Sequence, residues 1–272
     1  MVPRQPERCD ATMKPVDFSS FVAELASVAG QAILPFFRTT LTAEDKSRGG
    51  LFDPVTEADR AAETAMRRLI GRSFPSHGII GEEFGSERED AEFVWVLDPI
   101  DGTRAFMAGL PLWGTLIGLL REGHPCYGVM HQPFIGELFH GDGGSAGYRG
   151  PKGERRLMTR RCAAIEKAIL STTSPRLFGA TERPAFERLE DRAQITRFGY
   201  DCYAYAMLAA GHIDVVVESG LKPYDIVGLI PIIEGAGGIV TTWDGGPASS
   251  GGSIVACGDP RLHGAVLDIL RG

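Results

Sequence analysis

Two N-terminal segments carry apolar residues at every third or fourth position, which predicts a pair of amphipathic helices. The first is predicted over residues 17–38, where Asp17 can cap the helix, and the second over residues 56–73. Adjacent glycines and charged residues between them predict a mobile loop at 40–54.

Short apolar runs separated by glycine and proline turns predict consecutive strands in the first half of the chain, at residues 93–97, 113–120, 125–132, 136–140 and 147–149. A basic connector follows at 152–161. In the second half, strands predicted at 168–172, 213–218, 239–242 and 253–257 alternate with helices predicted at 201–210, at 225–235 and from Pro260 onward, with a loop at 244–252.

Consecutive strands in one half and alternating elements in the other are typical of α+β layers, not of a doubly wound parallel sheet. We therefore expect an N-terminal α+β half over residues 16–150 and a C-terminal α/β half over 162–272 that completes the site. Residues 1–15 contain charges and three prolines and are predicted to be a disordered tail.

Charge and composition exclude several functional classes. The 272 residues include 28 Lys and Arg against 35 Asp and Glu, a net charge of −7, which disfavours general nucleic-acid binding. The longest apolar stretch, 226–240, is interrupted by Pro231 and Glu234 and is shorter than the ~20 residues of a membrane span. Five scattered cysteines and an N-terminus that lacks the apolar region of a signal peptide indicate reduced thiols and a cytoplasmic location.

The segment WVLDPIDGT at residues 95–103 is the most informative for chemistry. An apolar strand ends in Asp98 and Asp101, and Pro99 between them fixes a turn that can aim both carboxylates and the Ile100 carbonyl at one point. The next residues, Gly-Thr, can open a short helix whose N–H groups bind an anion. An Asx turn followed by a helix cap is the purely structural alternative.

Three other acidic segments also have simple structural explanations when each is taken alone. Glu82, in the sequence GEE, follows an apolar pair and can be a solvated strand end. Asp225 can cap a helix, and the TEAD sequence at 56–59 can form a capping box.

Taken together, the segments TEAD, GEE, WVLDPIDGT and YDIVGLIPIIEGAGG resemble the signatures of the inositol monophosphatase-like, magnesium-dependent, lithium-sensitive phosphatases. The likeness extends over residues 18–270, although Tyr224 stands where the family usually has Trp. The resemblance implies a layered α-β-α-β-α sandwich of the inositol monophosphatase/fructose bisphosphatase type. It also implies a homodimer in which the partner chain helps to close the substrate pocket.

The resemblance also assigns a metal site for two or three Mg²⁺ ions, with Mn²⁺ as an alternative, whose ligands are Glu82, Asp98, the Ile100 carbonyl, Asp101 and Asp225. Physical chemistry agrees, because each pair of carboxylates at ~4 Å repels by ~4 kcal/mol even at an effective dielectric of 20. Oxygen ligands favour Mg²⁺ or Mn²⁺ over Zn²⁺. None of the six histidines lies in these motifs, and His77 is predicted to be structural.

In this family a metal-activated water attacks phosphorus in line. The resemblance gives catalytic roles to Glu82 as a ligand and to Thr103 and Asp59 as the dyad that orients and deprotonates the water. The amides of Gly102 and Thr103 would hold phosphate oxygens. Lys46 matches a family position near the phosphate, and a solvated loop lysine is its alternative.

Within the family, DGTRAF, GLPLWGTLIGL, GYDCYAYAMLAAGHIDVVVE and LKPYD look most like the histidinol-phosphate phosphatase branch, and Ala105 stands where inositol phosphatases typically have Asn. Histidinol phosphate carries an ammonium and an imidazole, which acidic side chains suit. The substrate-binding residues predicted on this basis are Glu82, Asp101, Gly102, Thr103, Arg104, Asp201, Glu218 and Asp225. Asp201 can instead cap a helix, and Arg104 can face either the phosphate or a carboxylate.

Three functional hypotheses remain at this point. The first is hydrolysis of L-histidinol phosphate in histidine biosynthesis. The second is hydrolysis of another small phosphate ester, such as an inositol phosphate, a nucleotide 3′-phosphate or a sugar phosphate. The third is a catalytically silent metal-binding or interaction protein, which the intact set of motif residues disfavours.

Overall fold

A computed structural model describes residues 18–39, 44–45, 54–55 and 57–272. Several predictions therefore lie outside the described residues: the tail at 1–15, the Asp17 cap of the first helix, most of the loop at 40–54, Lys46, and the Thr56 cap of the second helix.

The described ranges contain eight α-helices and fifteen strands. The helices are α1 Phe18–Ile33, α2 Glu57–Ser73, α3 Thr103–Met107, α4 Glu182–Glu190, α5 Asp201–Ala209, α6 Pro223–Ile226, α7 Ile230–Gly235 and α8 Pro260–Arg271. The strands are β1 Glu44–Asp45, β2 Pro54–Val55, β3 Gly78–Gly81, β4 Gly85–Glu87, β5 Phe93–Asp101, β6 Gly114–Arg121, β7 His124–Gln132, β8 Glu137–Gly141, β9 Ala146–Gly150, β10 Gly153–Arg156, β11 Ile169–Thr172, β12 Ile195–Phe198, β13 Val215–Leu221, β14 Ile239–Thr242 and β15 Gly252–Cys257.

These strands form two large sheets. The first has the order β10-β9-β8-β7-β6-β5-β3-β4, and every neighbouring pair is antiparallel except β3 and β5. The second has the order β12-β11-β13-β15-β14, in which β11 is parallel to both of its neighbours and β15 is antiparallel to β13 and β14.

Alternating side chains of each sheet enter different hydrophobic cores, as the two-residue period of a strand requires. On β6, Ile117 packs with α1 and α2, whereas its neighbour Leu116 packs with α5 and α7. On β13, Val216 joins that same central core, whereas Val215 packs with α4 and α8. The resulting layers are helices, sheet, helices, sheet, helices, which confirms the predicted α+β sandwich.

Two predicted helices differ from the observed ones because of proline. The first α-helix ends at Ile33, and a single 3₁₀ turn at Leu34–Phe36 follows, since Pro35 lacks the N–H that would continue the helix. The helix predicted over 225–235 is instead two short helices, α6 and α7. Pro231 lies in the first turn of α7, where a missing N–H costs no helical hydrogen bond.

Several elements were not predicted from the sequence, including β1 and β2, which lie within or at the end of the predicted loop at 40–54. Strands β4 and β10 are exposed at every residue and β12 at nearly every residue, so alternation of apolar and polar positions is absent from them. β10, β4 and β12 are edge strands, where charged side chains are favoured because they block pairing with another chain. Helix α4 was also not predicted.

The four cysteines among the described residues, Cys126, Cys162, Cys202 and Cys257, are free thiols. None of the helices in the described ranges has both the length and the apolar character needed to cross a bilayer.

Candidate active site

A β-bulge places the two aspartates of the WVLDPIDGT segment on one side of the first sheet. Residues three apart on a regular strand point to opposite faces. Here Asp98 pairs with Leu116 and Asp101 with Gly114, so that three steps along β5 match two steps along β6. The extra residue turns Asp101 to the side of Asp98. The hydroxyl of Thr115 on β6 donates a hydrogen bond to the Pro99 carbonyl at 2.8 Å and so stabilises the bulge.

The parallel pairing of β3 and β5 brings Glu82 to the same edge. Gly81 lies opposite Leu97, so the residues that follow, Glu82 and Asp98, emerge side by side. The Glu82 amide donates to the Leu97 carbonyl at 3.2 Å and continues this register past the end of β3. Glu82, 16 positions before Asp98 in the chain, thus joins the site because the carboxyl ends of parallel neighbours lie together.

Asp225 reaches the site from the second half of the chain. It occupies the third position of the short helix α6, and its carboxylate accepts a hydrogen bond from the Lys222 amide at 2.6 Å. Asp225 therefore stabilises the start of the helix, although the N-cap residue itself is Lys222. One carboxylate oxygen each of Asp98, Asp101 and Asp225 lies within 4.8 Å of the others. Three converging oxygens of this kind could hold a metal ion.

The electrostatics of this cluster fit a cation. Burial raises the pKa of Asp98 well above its usual value, and the neighbouring carboxylates raise it further, in the order Glu82, Asp101, Asp225 and Asp59. Burial likewise raises the pKa of Asp101, with Asp201 and Asp225 adding to it and hydrogen bonding to Cys202 opposing it. The buried Oδ1 atom of Asp98 has no hydrogen-bond partner. A buried acceptor without a donor, among like charges, is suited to a positive ion.

The predicted catalytic dyad approaches this cluster from two helices. Asp59 lies in the first turn of α2, is almost fully buried, and is close enough to Asp98 to raise its pKa. Thr103 is the first residue of α3, and its hydroxyl donates to the Ile100 carbonyl at 3.2 Å. Asp59 therefore lies beside the carboxylate cluster, and Thr103 contacts a carbonyl that is itself a predicted metal ligand.

Gly102 allows the chain to turn sharply between the bulge and α3. Its φ of 85° lies in the left-handed region that favours glycine. A Cβ at this position would lie 3.1 Å from the Cβ of Asp201 and 3.2 Å from the Cα of Trp113. Gly102 thus permits both the backbone conformation and the close approach of helix α5.

Asp201 is in the first turn of α5 with a φ of 45°, a strained conformation for a residue with a side chain. The N-cap position of α5 is occupied by Tyr200, so Asp201 is not the capping residue that the structural alternative required. Burial raises its pKa to about 6, and the opposing effects come from Arg104 and from a hydrogen bond with Thr173. The charge of Arg104 thus acts on the carboxylate of Asp201, and a contact of Arg104 with the phosphate stays a prediction.

Glu218 is a buried carboxyl group on β13. It accepts hydrogen bonds from the Thr173 amide at 2.6 Å, the Thr173 hydroxyl at 3.0 Å and the Thr172 hydroxyl at 3.2 Å. Burial raises its pKa to about 8, the Thr173 hydrogen bonds oppose the rise, and Asp201 adds to it. Thr173 is a neighbour of both acidic groups, and its hydroxyl has one proton to donate. A hydrogen bond from this hydroxyl to Glu218 therefore takes the proton away from Asp201, and the reverse, so that Thr173 links the two carboxyl groups.

A single cleft contains almost all of the predicted site residues. Its lining comprises Glu82, Asp98, Ile100, Asp101, Gly102, Thr103, Arg104, Asp201, Glu218 and Asp225, together with Thr173, Leu177 and Leu221. The last three were not among the predicted site residues, although Leu221 begins the LKPYD segment. Thr173 and Leu177 lie just after β11 in a segment without a recognisable motif, and no local signal could have found them.

His77 is structural, as predicted. Its Nδ1 atom accepts a hydrogen bond from the Trp95 indole at 3.1 Å, and its ring stacks on Phe74 and Phe93. Burial lowers its pKa, so the neutral ring is favoured.

Comparison with known proteins shows the family of the chain. A model of the inositol monophosphatase family matches residues 15–271. The chain is 42% identical to the "Bifunctional phosphatase IMPL2, chloroplastic" of Arabidopsis thaliana, over 93% of this chain and 75% of that protein. It is 36% identical to the histidinol-phosphatase of Mycobacterium tuberculosis, over 80% of this chain and 85% of that protein.

A solved structure of an inositol monophosphatase from Zymomonas mobilis superimposes with a TM-score of 0.84. The two chains are 41% identical, and the superposition covers 94% of this chain and 98% of the Zymomonas mobilis chain. With the family match over nearly the whole sequence, the shared fold and the carboxylate cleft, the chain belongs to the inositol monophosphatase family of phosphatases.

Proposed function

We propose that this chain hydrolyses L-histidinol phosphate to L-histidinol and phosphate in a Mg²⁺-dependent reaction of histidine biosynthesis, as a cytoplasmic homodimer. The observation that carries the proposal is the presence of two acidic groups in one cleft. The first is the carboxylate cluster around Asp98, which suits metal ions. The second is the pair Asp201 and Glu218, which suits a cationic alcohol.

The ligands of two or three Mg²⁺ ions, or of Mn²⁺, would be Glu82, Asp98, the Ile100 carbonyl, Asp101 and Asp225. When bound, Mg²⁺ supplies positive charge to the phosphoryl oxygens and makes water more acidic. The donor set consists of oxygen atoms, as these hard cations prefer.

The residues of the dyad handle the water and its proton. Thr103 orients the attacking water, and Asp59 accepts its proton as the bond from the water oxygen to phosphorus forms. The ester bond breaks, its electron pair leaves with the alcohol oxygen, and a proton from solvent completes the alcohol product. The amides of Gly102 and Thr103, at the start of α3, bind phosphate oxygens whose negative charge grows in the transition state.

Asp201 and Glu218 recognise the alcohol part of the substrate. A carboxylate buried with hydrogen-bond donors on one side keeps its remaining acceptor capacity for the ligand, and an ammonium or imidazolium forms the strongest type of hydrogen bond to it. The charge of Arg104 near Asp201 favours the ionised form of that carboxyl and so prepares it for a cation.

A second candidate is hydrolysis of inositol 1-phosphate. It is favoured by the 41% identity to the inositol monophosphatase of Zymomonas mobilis, and by the fact that carboxylates also accept hydrogen bonds from hydroxyl groups. The 36% identity to a histidinol-phosphatase and the acidic Asp201 support the first candidate.

The test is a phosphate-release assay with Mg²⁺ on histidinol phosphate, inositol 1-phosphate, fructose 1,6-bisphosphate and adenosine 3′,5′-bisphosphate. We expect histidinol phosphate to have the highest kcat/KM, and we expect EDTA to abolish turnover until Mg²⁺ is restored. Asp98→Asn should lose several orders of magnitude in kcat, whereas Asp90→Asn, at an exposed aspartate outside the cleft, should not.

Three outcomes would contradict parts of the proposal. Equal kcat/KM for inositol 1-phosphate would exclude the histidinol assignment and leave the phosphatase assignment intact. Wild-type turnover of Asp98→Asn at saturating Mg²⁺ would exclude the metal site. No hydrolysis of any of the four esters would favour the catalytically silent protein.

A further inference from the structure

Helix α2 carries a second buried carboxylate, Glu63, one turn after Asp59. Its side chain is fully buried, and its two oxygens accept hydrogen bonds from the Glu83 amide at 2.7 Å and the Phe84 amide at 3.2 Å. Arg67 donates to it at 2.7 Å along the same helix. These partners offset the large cost of burying a carboxylate.

The two amides belong to the turn that directly follows Glu82. The amide of Glu82 itself donates a hydrogen bond in the opposite direction, to the Leu97 carbonyl of β5 at 3.2 Å. Arg67 reaches past Glu63 and donates to the Gly85 carbonyl at the end of the same turn. The backbone of Glu82 is thus held between β5, which carries Asp98, and α2.

The approach of Glu63 to this turn requires a glycine in β3. A Cβ at Gly81 would lie 2.0 Å from the Oε1 atom of Glu63, so any side chain there would push the carboxylate away from the amides. The sequence Gly-Glu-Glu at 81–83 therefore combines a small residue, a predicted metal ligand and an anchored amide.

Glu63 and Asp59 are four residues apart and so lie on the same face of α2, about 6 Å apart along its axis. One rigid helix therefore carries the predicted proton acceptor and holds the turn of a predicted metal ligand. A shift of this helix would move both groups together.

We propose that Glu63 is a positioning residue that sets the location of Glu82 through the backbone amides of Glu83 and Phe84. The inference rests on the proposed role of Glu82 as a metal ligand. The partners of a ligating group that fix its orientation commonly contribute ten- to 100-fold to metal affinity. Glu63 does so through the main chain of the ligand's turn.

The experiment measures Mg²⁺ binding by isothermal titration calorimetry in the absence of substrate, for the full-length chain and its Glu63→Gln variant. The amide group of Gln keeps the size of the side chain but loses its charge and one acceptor. We expect about a ten- to 100-fold weaker Mg²⁺ affinity and faster hydrogen exchange at the amides of 83 and 84. Saturating Mg²⁺ should restore most of kcat.

The matched control is Glu87→Gln. Glu87 is a half-exposed partner of Arg67 at 2.8 Å on β4 and does not contact the amides of the turn, so its variant should bind Mg²⁺ like the wild type. If Glu63→Gln does not fold, Gly81→Ala provides a second variant, because it displaces the Glu63 carboxylate without removing its charge. It should weaken Mg²⁺ binding in the same direction.

Unchanged Mg²⁺ affinity in a folded Glu63→Gln variant would overturn this inference and leave the proposed metal site intact. An equal loss in Glu87→Gln would also overturn it, because the effect would then come from the ion pairs of Arg67. Absence of Mg²⁺ binding by the wild type would instead overturn the metal site, and the inference with it.

Discussion

Substitution of Glu218 by Gln tests how the cleft recognises its substrate. Gln has the same shape and can still accept from the Thr173 amide, which lies 2.6 Å from the carboxylate. The change therefore removes charge more than structure. Loss of a buried partner of a cation typically costs ~2–5 kcal/mol.

The protonation of Glu218 in the free enzyme reduces this magnitude. With a pKa of about 8, only about a tenth of the Glu218 carboxyl groups are ionised at pH 7. Binding a cation to the ionised form then requires loss of a proton, at a cost of ~1.4 kcal/mol at that pH. Subtracting this cost leaves a net loss of about 0.6–3.6 kcal/mol at pH 7, or roughly 3- to 400-fold in kcat/KM for histidinol phosphate.

The same pKa predicts how the loss depends on pH. A group whose pKa is raised by burial becomes charged only as the pH rises through the raised value, so the ionised fraction of Glu218 increases about fivefold between pH 7 and pH 8. The titratable groups facing Glu218 are Asp201, which with a pKa of about 6 is mostly ionised above pH 7, and the neutral Tyr205. The gap between wild type and Glu218→Gln should therefore widen from pH 7 to pH 8.

The assay compares kcat/KM of both proteins for histidinol phosphate and for p-nitrophenyl phosphate, whose alcohol part is uncharged. The loss should be much larger for histidinol phosphate. Equal losses for the two esters would mean that Glu218 acts on the fold or the metal site. No loss for histidinol phosphate, or a gap that does not change with pH, would refute the recognition of a cation by Glu218.

Three further predictions concern the dyad, the turn before α3 and acid stability. Thr103→Ala and Asp59→Asn should each lower kcat strongly. Because the two residues act as a unit, the double variant should have a kcat little lower than that of the worse single variant. If steady-state assays gave a loss in the double variant equal to the product of the two single losses, the dyad would be contradicted. Gly102→Ala should lower both Tm and kcat. The control Gly123→Ala should lower Tm alone, because Gly123 has a similar φ of 79° but no atom lies within 4 Å of a new Cβ there. Equal kcat losses in the two variants would contradict the close approach of α5 to Gly102. Burial lowers the pKa of His131 to about 4, so the unfolded chain binds more protons than the folded one between pH 6.5 and 4. The free energy of unfolding should therefore fall by up to about 3 kcal/mol as the pH drops through this range. In urea unfolding, His131→Gln should lose this pH dependence, and an unchanged pH dependence would contradict the role given to His131.

The sequence alone predicted those features that depend on neighbouring residues. Helix α2 has apolar residues on one face, and its buried Ala62, Met66 and Ile70 follow the helical period that predicted it. The aspartates and glycine of DPIDGT are adjacent in the chain, so their turn and the short helix after it were also predictable. The family resemblance extended these local patterns to the choice of metal and dyad residues.

The tertiary structure decided how separated segments meet. Two-residue alternation alone would place Asp98 and Asp101 on opposite faces, and only the pairing of β5 with β6 shows the bulge that brings them together. Thr173 and Glu63 belong to no motif, since their roles consist of hydrogen bonds to residues 45 and about 20 positions away. Such contacts depend on strand order and helix packing, which arise from the free energy of the whole core and not from any short stretch of chain.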